Sequence, residues 1–142
     1  MRVGVVGFML ACMAYGAPSD PAADVWDVVA TMAAALAEPN DAAFMRPIAK
    51  SVEHYELLER QVRSLSQTNG VVSSITAVLN DGDDKQRTLE VDWYMELQPK
   101  SPGQTFSRRR ETVRMTFAKS GKRWMITSLT PVAFFAPPPS GN

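Results

Sequence analysis

Between Thr88 and Leu97 the chain alternates without a break. Leu89, Val91, Trp93, Met95 and Leu97 fall on one parity, and Thr88, Glu90, Asp92, Tyr94 and Glu96 fall on the other. Such a stretch is stable as a strand with one face buried and one face wet. A second stretch, Phe106 to Lys119, complements it. If a hairpin pairs Glu96 with Arg108, the same register sets Glu90 opposite Arg114 and Tyr94 opposite Arg110. It also sets Val91 opposite Val113 and Leu89 opposite Met115. One register thus matches opposite charges on one face and apolar side chains on the other.

The other strands follow from turn chemistry. Val71 to Leu79 reads as a strand ended by the polar run Asn80 to Asp84, and Pro99, Pro102 and Gly103 mark a longer turn. Ser120-Gly121 reads as a two-residue turn leading into a strand from Lys122 to Thr130. That turn places Phe117 opposite Trp124 and Met115 opposite Ile126. Met125 and Leu129 then fall on the polar face, where Phe134-Phe135 folding back, or a second subunit, would cover them.

Before Val71 the period is helical. Asp20-Pro21 reads as an N-cap with proline at the first helical position, followed by Val25, Val29, Met32 and Leu36 at helical spacing. Asn40 caps a short second helix that buries Phe44, and Ser51 opens a third along Tyr55, Leu58, Val62 and Leu65. Asn69-Gly70 closes the third as a left-handed cap. The expected fold class is α+β: three N-terminal helices packed on a four-stranded antiparallel meander sheet. A domain over residues 20–135 and a disordered Pro-rich tail over 136–142 complete it.

The first sixteen residues resemble a short secretory signal: Met1-Arg2, an apolar run from Val3 to Ala11, then Ala14-Tyr15-Gly16 before Ala17. The run is too short to span a bilayer, which needs about 20 residues. Met9-Leu10-Ala11-Cys12 also resembles a lipoprotein box, with Leu10 two positions before the cysteine instead of three. Two alternatives therefore stand: periplasmic or secreted export after cleavage at residues 1–16, or anchoring to the envelope through a lipid on Cys12. Membrane association is expected only through the signal or that anchor. Lys+Arg and Asp+Glu both number 15, so no net field draws the protein to nucleic acid. Arg108-Arg109-Arg110 is split across a strand's two faces, and no nucleic-acid partner is expected.

The closing run Gly121-Lys122-Arg123-Trp124-Met125-Ile126, with Leu129-Thr130-Pro131 and Phe134-Phe135, resembles the last strand of nuclear-transport-factor-2-like (SnoaL-like) domains. The order of elements over Asp20 to Phe135 is similar as well. The resemblance implies a curved sheet that makes the domain cone-shaped, with a pocket between sheet and helices, and dimerisation through the sheet; a cystatin-like helix-on-sheet domain is the alternative fold. Some members are isomerases, dehydratases or hydrolases, and others only bind or assemble.

Enzymes of that kind carry an Asp, Glu or His within the cone, where desolvation tunes proton transfer. The candidates here are His54, Glu111 and Asp92. Asp92, like Glu90 and Glu96, reads better as half of an ion-pair ladder. His54 has no orienting acid, and Glu111, with Arg109, reads as lying in water beyond the helix-covered zone. The candidate pocket residues are Tyr55, Trp93, Met95, Arg109, Met115 and Trp124, facing a small apolar ligand. No cofactor or metal is expected, because a lone histidine lacks ligating partners at fitting spacing. The sequence thus reads as an exported ligand-binding or assembly module without evident catalytic machinery. The alternatives are a proton-transfer enzyme, or a structural envelope subunit that forms a homodimer through the outer sheet face.

Overall fold

The computed structural model describes residues 20–139; the signal-like segment and Cys12 lie outside them. Three helices, α1 (Pro21–Ala37), α2 (Asp41–Met45) and α3 (Tyr55–Thr68), precede four strands. These are β1 (Asn69–Gly82), β2 (Gln86–Pro99), β3 (Ser107–Ser120) and β4 (Arg123–Thr130), antiparallel in the order 1-2-3-4, and a 3₁₀ turn, Val132–Phe135, follows.

The first two caps form as their residue types require. The Asp20 carboxylate accepts from the Ala23 N–H, and the Asn40 side chain accepts from the Ala43 N–H. The third helix departs from expectation at both ends. It starts at Tyr55 instead of Ser51, after His54 in left-handed backbone geometry (φ +64°). The preceding turns, Val52 N–H to Ala49 and Tyr55 N–H to Val52, consume the residues that Ser51 would have capped. At its far end Asn69 is extended (φ −137°), not left-handed. Its backbone N–H and its side-chain amide both donate to the Leu65 carbonyl, and the chain passes directly into β1.

The β2–β3 register is the expected one throughout: Glu96–Arg108, Tyr94–Arg110, Val91–Val113, Glu90–Arg114 and Leu89–Met115 are paired. The β3–β4 register is not. The two-residue loop is Gly121-Lys122, because a loop of this length takes φ > 0 at its first residue and Gly121 supplies +63°. The shift pairs Trp124 with Lys119 and Phe117 with Ile126. Thr127 is then an extra residue between Ile126 and Ser128, and this bulge reverses the parity. Leu129 therefore sits opposite Met115 and is buried, where the sequence placed it on the polar face.

The core is the helix-covered face of the sheet. Leu89, Val91, Trp93, Met95, Met115, Phe117, Trp124 and Ile126 are all buried on it. Phe134 and Phe135 join them instead of covering the outer face. The Phe135 ring meets Trp93 edge-on at 5.1 Å and Phe44 at 5.3 Å, and Phe134 meets Trp93 at 6.2 Å. These edge-to-face contacts each add about 0.5–1.5 kcal/mol beyond area burial. The α2–α3 linker covers the β4 edge: Ala49 donates to the Ile126 carbonyl at 2.9 Å, and Ile126 donates back to Pro47 at 2.8 Å.

Candidate functional site

On the inner face of the sheet, the space beside Trp93 is occupied by Phe134 and Phe135. Trp93, Met95 and Met115 have no solvent exposure, and the Trp93 indole N–H is satisfied by the Ser73 hydroxyl at 3.0 Å. The only buried polar or charged residues among those described are Ser66 and Asn69. No three His, Cys, Asp or Glu side chains among the described residues come together as metal ligands.

The residues singled out in the sequence disperse. His54 is exposed at the start of α3, 3.9 Å from the Glu53 carboxylate. Asp92 lies on the outer face in a two-pronged pair with Arg110, at 3.0 and 2.7 Å, and that guanidinium holds its carboxyl below the usual carboxylate range. Glu111 is exposed beside them. Arg109 turns toward the end of the chain and donates to the main-chain carbonyls of Phe134 and Ala136. Partial burial lowers its pKa, yet a guanidinium stays charged under all ordinary conditions. Tyr55 is half-buried over a shallow depression with Met45 and Met125. Burial, then the nearby Glu59 carboxylate, pushes its phenol upward.

Of the expected pocket residues, Trp124 lines a groove against α1. This is an open groove of about 460 Å³ between α1, the end of α2 and the β3–β4 turn. Val28, Met32 and Ala43 form its apolar part, Asp24, Asp27 and Thr31 belong to its α1 wall, and Arg46, Pro47, Lys122 and Arg123 complete the lining. Each position has a local cause. Asp24 and Asp27 are three residues apart on α1 and therefore share a face. Arg46 is the C-cap of α2, and the Gly121-Lys122 loop brings Lys122 and Arg123 to the rim. Trp124 is 6% exposed, its Nε1–H is buried without an acceptor, and Lys119 Nζ stands 5.6 Å from its ring centroid. Sequence reasoning missed the five charged residues. The Asp24/Asp27 spacing and the basic run around Gly121 were visible, but nothing in the sequence joins Arg46 to the β3–β4 turn.

Pro138 and Pro139 lie against the β2–β3 loop, lining a small depression with Phe106 and Ser107. No helix among the described residues is long and apolar enough to cross a membrane.

No protein-family model matches the sequence, and no curated protein is significantly similar to it. Solved structures are similar in fold. A conserved protein from Planctomyces limnophilus superposes with a TM-score of 0.67 at 10% identity, over 75% of this chain and 90% of that one. A hexachlorocyclohexane dehydrochlorinase (LinA, type 2) gives 0.62 at 8% identity, over 75% and 80% of the two chains. A candidate dehydratase of the nuclear-transport-factor-2-like family from Streptomyces avermitilis gives 0.61 at 10% identity, over 79% and 95%. Identities this low carry the fold alone, and on that ground the chain has the nuclear-transport-factor-2-like fold, a scaffold that includes dehydratases and proteins of unknown function.

Proposed function

We propose that the chain is an exported, non-catalytic module that binds a small ligand in the groove beside Trp124. The observation that carries the non-catalytic reading is the filled inner face. Phe134 and Phe135 pack onto Trp93 and Phe44 where a cavity would otherwise lie, with no ionisable side chain buried among them. The alternative, an isomerase, dehydratase or hydrolase, finds less support. Of its candidates, His54 is exposed at the start of α3, away from Glu111 and Asp92, which share a shallow depression on the sheet, and the Arg110 pair keeps Asp92 ionised. Ligand binding is supported by a groove within the usual range of about 300–1,000 Å³, with an apolar part at Val28, Met32 and Ala43 and charged groups from α1, the end of α2 and the β3–β4 turn.

A fragment screen by two-dimensional NMR on the ¹⁵N-labelled protein tests this. The expected result is a set of shifts clustered on Val28, Ala43, Arg123 and the Trp124 indole. Shifts clustered around His54 or Asp92 instead, or none in the groove, would remove the reading.

Homodimerisation through the outer sheet face is a second reading. Val72 and Leu79, which the register places on that face beside Glu96 and Glu90, are 63% and 38% exposed.

A further inference from the structure

The groove beside Trp124 holds charged side chains of both signs that form no ion pair with one another among the described residues. Arg46, Lys122 and Arg123 line the same groove, and among the described residues none has a carboxylate within 4.0 Å. Asp24 and Asp27 also line it and also lack an ion-pair partner there. Elsewhere this protein does pair its charges, as in Asp92 with Arg110 and Glu90 with Arg114. Two carboxylates and three cations around one opening therefore stay apart, beside an apolar floor of Val28, Met32 and Ala43.

From this juxtaposition we infer that the groove takes a small zwitterion, a molecule with an apolar body, a carboxylate and an ammonium, as in an amino acid with an apolar side chain. The carboxylate accepts from the guanidinium groups of Arg46 and Arg123. The ammonium is drawn to Asp24 and Asp27, whose charge repels a plain polyanion. The body covers the apolar floor. This rests on the reading of the groove as a ligand site and adds its chemical class.

The test titrates four probes of one body into the ¹⁵N-labelled full chain and follows the indole signals of Trp26, Trp93 and Trp124. The probes are L-phenylalanine, 3-phenylpropionate without the ammonium, phenethylamine without the carboxylate, and benzyl alcohol with neither. The expected result is a saturable shift of the Trp124 signal, whose ring lines the groove, with L-phenylalanine. Binding weakens about tenfold or more with 3-phenylpropionate and more again with phenethylamine, each lost charge-assisted contact being of that order. Trp93 stays still. Arg123→Gln, at an exposed position, abolishes the preference for L-phenylalanine over phenethylamine. Asp27→Asn, also exposed, abolishes its preference over 3-phenylpropionate. Equal binding of benzyl alcohol, or no response of Trp124 to L-phenylalanine while neutral fragments shift the groove, overturns the zwitterion and leaves the ligand site standing. No groove shift in either experiment overturns both.

Discussion

Arg109 on β3 donates to the main-chain carbonyl of Phe134 at 2.7 Å, and the same nitrogen reaches the Ala136 carbonyl at 2.6 Å. A charged side chain of the inner parity is thus spent on the backbone of the segment that brings Phe134 and Phe135 into the core. Hydrogen bonds from charged donors contribute about 1.5–3 kcal/mol. Arg109→Met should lower the unfolding free energy by that order in urea. Phe135→Ala, which empties a fully buried site between Trp93 and Phe44, should lower it by about 3–5 kcal/mol. An Arg109→Met variant as stable as the parent would show that the clamp contributes nothing.

The β1–β2 hairpin depends on Gly82. Its φ is +138°, and a Cβ there would lie 2.3 Å from the Gln86 carbonyl oxygen and 2.6 Å from Arg87 Cα. Both are backbone atoms that cannot step aside. Gly82→Ala should cost about 1–3 kcal/mol in backbone strain alone. The fall in melting temperature should exceed that of Gly103→Ala, whose added methyl meets nothing within 4 Å.

Acid should weaken the outer face in a defined window. The folded-state pKa of Asp92 is depressed, chiefly by its hydrogen bonds from Arg110. A depressed carboxylate contributes stability that is present above its unfolded value, near 3.9, and lost as pH falls through the lower folded value. The urea midpoint should therefore drop below about pH 4, and Asp92→Asn should flatten that drop. Asp83 shifts in the same direction through the backbone N–H groups of Gln86 and Lys85, so a residual decline should persist in the variant.

If two copies pair through the outer face, sedimentation should show a concentration-dependent dimer. Charging the exposed apolar positions, with Val72→Lys and Leu79→Lys together, should return it to monomer. A monomer at every concentration for the parent chain would dispose of the pairing.

Export makes its own prediction. The intact mass of the mature protein from its host should correspond either to cleavage after Gly16 or to an acylated Cys12. Recovery of the uncleaved chain would sink both.

How much of this could be read beforehand depended on how many independent constraints met at each residue. The β2–β3 register was legible because Glu90, Glu96, Arg108 and Arg114 oppose one another only when Val91 meets Val113, so charge and burial select the same alignment. The β3–β4 register was not. Ser120-Gly121 and Gly121-Lys122 are both plausible two-residue loops, and the bulge at Thr127 leaves no mark in an otherwise regular strand. The helix starts at Asp20 and Asn40 were written in their capping side chains. The start of α3 was not, because His54 adopts its left-handed geometry without a capping bond. The groove was illegible for a different reason. Its charges come from α1, the end of α2 and the β3–β4 turn, and only tertiary packing brings these together.

The placement of Phe135 also orders events in time. It is among the last residues described, yet its ring stands between Trp93 and Phe44, which are made much earlier. A nascent chain emerging from its N-terminus can close helices and hairpins as they appear, but this wall stays bare until Val132–Phe135, which follows β4, arrives.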